Sequence, residues 1–236
     1  MPSFAIIIPC YNEATRLDAS AFIAFANQHS NVSLVFVNDG SWDNTLNILK
    51  KIKAASTNTF LVSYERNKGK GGAIQEGFRF AIDQSVTHVG YLDADLSTSL
   101  NDYYDLLVFT AANFFDFVLA SRIQKLDTVI ERNFFRHLIG RTIATVIDRK
   151  FNLGVYDTQC GAKVFKTEVL REVNQDPFHT KWFFDVELLL RIRQKFTLMN
   201  GAEVPLRSWI DKKQSKISWL SIPEVIKDLT TLLKFE

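Results

Sequence analysis

Asp93 and Asp95 stand on either side of Ala94, just where the apolar run at 89–92 gives out. Two carboxylates at that spacing suit a hard cation such as Mg²⁺ or Mn²⁺, which takes oxygen ligands and keeps positions for substrate phosphate. The small Ala94 between them lets a ligand come close to the backbone. A D-x-D pair also serves as an ordinary turn or cap. A calcium loop is excluded, because Thr98 stands where glycine is required and Tyr104 where the closing glutamate is required. Upstream, "NKGKGGAIQEGF" at 67–78 places Lys68, Gly69 and Lys70 at a helix start. It is no Walker A loop, since Gly71 follows Lys70, and no dinucleotide fingerprint, since Ile74 replaces a glycine. Two lysines on a glycine-rich helix start still favour a diphosphate through charge and free N–H groups, the alternative being a solvated connection. Asp39 in "VNDGS" and Glu13 in "CYNE" can accept hydrogen bonds from a base or ribose, or serve as turn and first-turn acids.

These residues need a scaffold that brings four separate turns together. Short β-branched or aromatic runs at 4–9, 33–38, 60–63 and 88–92 alternate with amphipathic stretches at 14–28, 43–55 and 71–84. Such alternation predicts βαβ units and a mostly parallel sheet flanked by helices, with ligands at the carboxyl ends of the strands. The polar turns fall there: 9–13, 38–41, 67–72 and 93–97. Beyond Ser121 the pattern predicts strands at 117–121, 162–166 and 202–206, helices at 130–148 and 183–194, and a last helix from Pro223. No linker composition or repeat divides the chain, so one α/β domain over residues 1–236 is expected, in two lobes that meet at about residue 121.

Composition excludes several classes. With 47% hydrophobic and 23% charged residues among 236, disorder and low complexity are ruled out. A net charge of +2 gives no argument for nucleic acid. Cys10 and Cys160, far apart and unpaired by motif, suggest reduced thiols and a cytoplasmic setting, and Met1–Pro2 lead into a strand without signal-peptide character. The apolar stretch at 106–120 is interrupted by Asn113 and Asp116 and is too short to span a bilayer. The four histidines lack zinc spacing, and Trp182 and Trp209 read first as packing groups.

Taken together, "IIIPCYNE", "VNDGSWDNT", "NKGKGGAIQEGF" and "YLDADLS" resemble the family 2 glycosyltransferases, inverting enzymes with a GT-A fold that use nucleotide sugars. The resemblance continues through "ASRI", "DTQCGAKVF", "WFFDVELL" and "EVPLRSW" and is strongest to the branch of dolichyl-phosphate β-glucosyltransferases and polyprenyl-phosphate glycosyltransferases. It implies a Rossmann-like fold with nucleotide and acceptor lobes, transfer of a hexose such as glucose from UDP-glucose, and Mg²⁺ or Mn²⁺ as cofactor. It places Pro9, Tyr11, Glu13 and Asp39 around the nucleoside, Lys68, Gly69 and Lys70 by the nucleotide, Asp93 at the ribose or at metal-bound water, Asp95 at the metal, and Ala94 between the two. Arg122 would meet the acceptor phosphate or the diphosphate. Asp157, Gln159 and Cys160 would line the sugar pocket, Asp185 would lie at the reacting centre, and Lys216 would cover the diphosphate. Gln214 stands where that last motif usually has glycine.

The acceptor decides the remaining chemistry. An alcohol needs a general base, for which Asp185 or Asp157 is the candidate. A phosphate monoester, with a second pKa of about 6, needs positive charge instead. Arg122, Lys125, Arg132, Arg136 and Arg141 favour the phosphate. Phe135, Leu138, Ile139, Thr142, Ile143 and Val146 share one helical stripe, which fits either a core-facing helix or an interfacial one. Peripheral contact at the cytoplasmic membrane face is the resulting expectation. The alternatives are transfer to a saccharide hydroxyl and a non-catalytic nucleotide-sugar-binding module.

Overall fold

The structure, a computed structural model, describes residues 2–131, 134–212 and 222–234. Four strands, β1 (Phe4–Cys10), β2 (Val32–Asp39), β3 (Thr59–Tyr64) and β4 (His88–Leu92), open the main sheet. Their runs are apolar at successive positions because both faces are covered. Along β1, Phe4, Ile6, Ile8 and Cys10 enter one core layer while Ala5 and Ile7 enter the other. The period of two thus divides one strand between two cores.

Three further strands, β5 (Phe117–Ser121), β7 (Ala162–Lys166) and β8 (Gly201–Pro205), complete a seven-stranded sheet of order β3-β2-β1-β4-β7-β5-β8. Its neighbours are parallel except at β7, which runs antiparallel to both β4 and β5. One face is covered by α1 (Ala19–Gln28), α2 (Thr45–Ala54) and α4 (Leu100–Ala112), through Phe22, Leu49 and Leu107. The opposite face is covered by α3 (Gly69–Ile82), α6 (Thr167–Val173) and α7 (Phe184–Lys195), through Phe78, Leu170 and Leu188. A third cluster joins Ile147 and Phe151 of α5 (Phe134–Phe151), Val186 and Leu190 of α7, and Leu232 of α8 (Ile222–Leu232). A small parallel ladder pairs β6 (Val129–Glu131) with β9 (Ser208–Ile210).

The expected mostly parallel, helix-flanked sheet is present, with differences of local origin. The 14–28 helix starts only at Ala19, because Asp18 accepts from the Ala21 N–H at 3.0 Å and caps it. Residues before it turn back, with the Arg16 and Leu17 N–H groups donating to the Glu13 carbonyl. Helix α4 was not anticipated, although Ser99 caps it and Leu100, Tyr103, Leu106, Leu107 and Thr110 trace a buried helical stripe. The 130–148 helix begins later than expected, since Val129–Glu131 pair with β9. Its buried face is carried by Ile147 and Phe151, with Ile143 packed beside them, while Leu138 and Val146 stay exposed. Among its described side chains the expected stripe is therefore divided between core and solvent, those of Phe135 and Ile139 lying outside that set. Among the described residues no helix is long and apolar enough to cross a membrane.

Candidate active site

Strand order reverses direction between β1 and β4, the place where an open α/β sheet forms its ligand crevice. The turn after β1 is stitched to the turn after β2. Glu13 N donates to Thr45 Oγ1 at 2.7 Å, Ala14 N to Asp43 Oδ2 at 3.1 Å, Asn12 N to Ser41 Oγ at 3.0 Å, and Trp42 N to Asn12 Oδ1 at 3.1 Å. The Glu13 carboxylate is buried and takes a two-pronged contact from Arg16, at 2.7 and 2.5 Å. The same guanidinium lies 3.9 Å from Asp95 Oδ2, across the crevice. Pro9 and Tyr11 are half-buried beside it.

Asp39 closes β2 and is itself buried. It accepts from Lys68 N at 2.7 Å and Asn67 Nδ2 at 2.9 Å, so the glycine-rich turn is anchored on this carboxylate. Burial pushes the Asp39 carboxyl above its ordinary value, against the pull of the Lys68 N–H. Gly40, at φ +68°, follows; a Cβ there would lie 2.6 Å from the Glu65 carbonyl, so only glycine lets the two turns meet. The two lysines diverge. Lys68 turns its ammonium to Glu76 at 2.7 Å and over the Tyr64 ring. Lys70 enters the crevice and pairs with Asp93 Oδ1 at 2.6 Å. Burial acts to lower the Lys70 ammonium, but Asp93, Asp185 and Asp95 overcome it, and its pKa ends raised. Gly69, with φ +78°, makes the bend that sends the two side chains apart.

Asp93 and Asp95 follow β4 as expected. Asp95 Oδ1 accepts from Ser97 N at 3.0 Å, fixing one oxygen, and Asp93 lies on the backbone of Gly161, where a Cβ would come within 2.0 Å of Oδ2. Among the described residues no group of three or more His, Cys, Asp or Glu could hold a metal by itself. The pair supplies hard oxygen donors at an open strand end and leaves most positions to water and phosphate. That is the arrangement Mg²⁺ or Mn²⁺ takes with a nucleotide, so the donor set fits such an ion. Ala94 is buried in the core, so only its backbone faces the ligand side.

Beyond β5, Arg122 grips Asp157 through Nε at 2.7 Å and Nη2 at 2.8 Å, with its backbone N–H on the same carboxylate at 3.0 Å. The guanidinium also lies 5.2 Å from the centre of the Trp209 ring. Burial acts to raise Asp157, yet the Arg122 hydrogen bonds and charge outweigh it and hold the carboxyl below its usual value. Asp157 is thus held ionised as the partner of Arg122. Arg141 stacks 3.9 Å from the centre of the Tyr156 ring, the residue before Asp157. Gln159 is half-buried and donates to the Trp182 carbonyl at 3.3 Å. The Cys160 side chain is fully buried in the core with Ala162 and Val164, and burial pushes the thiol up to about 11. Lys216 and Arg132 lie outside the described residues.

Asp185, in the first turn of α7, is almost fully buried. Its Oδ1 accepts from Lys163 Nζ at 2.6 Å and from the Tyr91 hydroxyl. Lys163 is fully buried on β7 and also donates to the Cys160 carbonyl at 2.7 Å. Burial pushes the Asp185 carboxyl up to about 8 and the Lys163 ammonium down to about 7. The 2.6 Å contact couples the titration of the two groups. Arg16, Tyr91 and Lys163 were not anticipated from sequence. Only Arg16, three residues after Glu13, carried a local signal.

The ends of β1, β2, β4 and β5, with the entry to β7, thus place a carboxylate pair, one inward lysine, a clamped arginine and a buried acid on one edge. The model for glycosyl transferase family 2 matches residues 5–173. A dolichyl-phosphate beta-glucosyltransferase of Dictyostelium discoideum is 30% identical over 244 residues, covering 97% of this chain and 73% of that protein. The Saccharomyces cerevisiae protein of the same name is 29% identical over 255 residues, covering 97% and 73%. Among solved structures, glucosyl-3-phosphoglycerate synthase from Mycobacterium tuberculosis with Mn²⁺ and UDP-glucose aligns at a TM-score of 0.73 and 17% identity, over 100% of this chain and 80% of that one. The same enzyme with UDP gives 0.71 at 17% identity, over 100% and 81%. Those likenesses show a shared GT-A fold. The chain belongs to glycosyl transferase family 2 and is a glycosyltransferase similar to the dolichyl-phosphate beta-glucosyltransferases.

Proposed function

We propose that the chain moves glucose from UDP-glucose onto a polyprenyl or dolichyl phosphate, with inversion. The observation that carries the phosphate acceptor is Arg122, held by Asp157 at 2.7 and 2.8 Å and by the Trp209 ring. With Nε and Nη2 committed to Asp157, the guanidinium is fixed in place as a positive group for an anionic acceptor, which needs charge stabilisation more than deprotonation. On this reading residues up to about 121 form the donor lobe and the rest the acceptor lobe. Glu13 and Asp39 take the nucleoside, as do Pro9 and Tyr11, while Lys70 meets the diphosphate. Asp93 and Asp95 would hold Mg²⁺ or Mn²⁺, whose chemistry is to neutralise the charge that gathers on the departing diphosphate.

An acceptor phosphate oxygen attacks the anomeric carbon, and the bond from that carbon to the UDP oxygen breaks with its electron pair leaving on UDP. Alignment supplies much of the acceleration and fixed positive charge the rest. If the phosphate arrives singly protonated, Asp185 takes that proton only in its ionised form, so transfer by this route rises with pH through about 8. The relatives' names motivate the lipid and the sugar, and the solved neighbour with Mn²⁺ and UDP-glucose motivates the donor and the ion. The exposed Leu138 and Val146 on α5, with Leu126 and Val129 near β6, supply apolar contact for a peripheral position at the cytoplasmic membrane face. Labelled UDP-glucose incubated with Mn²⁺ and either polyprenyl phosphate or oligosaccharide is the test. Label entering the organic phase supports the proposal, and label confined to water-soluble glycan overturns it.

A further inference from the structure

Residues 179–183 lead directly into α7 and so carry Asp185. Every backbone N–H along that run is held by one of two carboxylates. Glu187, fully buried on α7 itself, accepts from His179 N at 3.1 and 3.0 Å and from Thr180 N at 2.9 Å. Asp228, from α8 at the other end of the chain, accepts from Lys181 N at 2.9 and 3.0 Å, Trp182 N at 2.6 Å and Phe183 N at 3.1 Å. The reason lies in the sequence. The N-cap position of α7 is Phe183, which has no oxygen to offer and makes no side-chain cap. Without another acceptor the N–H groups of residues 181–183, which lead into the helix, would stay unsatisfied away from water.

Asp228 supplies that acceptor across space. It is a carboxylate at the positive end of a helix, taking charge-assisted hydrogen bonds from successive amides while itself only 9% exposed. Phe183 is two residues from Asp185, whose contacts with Lys163 at 2.6 Å and with Tyr91 depend on where the first turn of α7 begins. Leu232 of α8 independently packs among Phe183, Val186 and Leu190, so the helix has an apolar seat as well as this polar clamp.

We propose that Asp228 is a positioning residue for glycosyl transfer: by capping residues 181–183 it sets the place of Asp185, and α8 is thereby part of the active-site framework. The inference rests on the reading that Asp185 works at the reacting centre. A merely structural clamp would lower stability and leave turnover of the folded protein unchanged. A positioning clamp lowers kcat while donor KM, set on the far side of the crevice, stays put.

The experiment compares wild type, Asp228→Asn and Asp228→Ala of the full chain. It measures kcat and KM for UDP-glucose well below each melting temperature, and amide exchange across residues 179–185. The expected result is a fall in kcat of about tenfold to a hundredfold for Asp228→Ala, as displacing a reacting group does. Donor KM stays at the wild-type value, exchange at 181–183 rises, and Asp228→Asn, which keeps one carbonyl acceptor, lies between. Folded variants with wild-type kcat overturn the proposal. If Asp228→Ala does not fold, Asp228→Asn and wild-type exchange decide: unprotected amides at 181–183, or an asparagine variant with wild-type kcat, overturn it. An inactive wild type overturns the functional reading and this proposal together, whereas active wild type with equally active variants overturns this proposal alone.

Discussion

Replacing Lys163 by methionine tests the electrostatics beneath the reacting centre. Methionine fills a similar volume without the ammonium. Two contacts disappear: one to Asp185 Oδ1 at 2.6 Å and one to the Cys160 carbonyl at 2.7 Å. Losing a hydrogen-bond donor to its ionised form moves the Asp185 carboxyl further above its wild-type position of about 8. Each unit of that rise is about a factor of ten in the ionised fraction, so turnover near neutrality falls. The rate recovers as pH rises. Stability falls by about 1–3 kcal/mol, because the Cys160 carbonyl is left buried without its donor. The sign of the pH dependence also follows. Asp185 keeps its proton in the folded state above the unfolded value of 3.8, so its contribution is full below that value and drains away as pH rises through about 8. Lys163 runs the other way, its contribution present above 10.5 and lost as pH falls through about 7. Methionine removes the second trend and extends the first to higher pH. Initial rates of glucose transfer across the neutral and alkaline range, with denaturant melts at the same pH values, make the assay. A variant whose pH–rate profile overlays the wild type refutes the reasoning.

Gly161→Ala puts a Cβ within 2.0 Å of Asp93 Oδ2, so titration calorimetry should show UDP–Mn²⁺ affinity down about tenfold with little change in melting temperature; unchanged affinity removes Asp93 from the donor site. Arg122→Lys keeps the charge but loses the two-pronged grip on Asp157, and acceptor KM should rise about tenfold while donor KM holds; equal acceptor KM would falsify the acceptor assignment. Removing divalent ions with a chelator should stop transfer reversibly, and Asp95→Asn should need more Mn²⁺ for half-maximal rate; transfer that persists in chelator shows that no such ion is used.

The four strand-end turns were legible because each carries a local sign: a glycine after an acid, paired aspartates after an apolar run, lysines on a helix start. The reversed strand β7 was not, since nothing in "AKVFK" tells parallel from antiparallel. That reversal is what buries Lys163 opposite Tyr91, so an ordinary strand lysine becomes the partner of Asp185. The burial of Cys160 has a simpler reason. Alternation puts it on the side of Ala162 and Val164, in the core, while Lys163 takes the other face. Lys68 and Lys70 looked equivalent until the positive φ at Gly69 separated them. Contacts such as Asp228 to residues 181–183 join places too distant in the chain for periodicity to relate.

Mass spectrometry and anomeric NMR of the lipid product, after reaction of UDP-glucose with polyprenyl phosphate and Mn²⁺, test the central claim most directly. The account predicts a β-linked glucosyl phosphate on the lipid and one UDP released for each lipid glucosylated. Unmodified lipid beside glucosylated glycan, or an α-linked product, contradicts it.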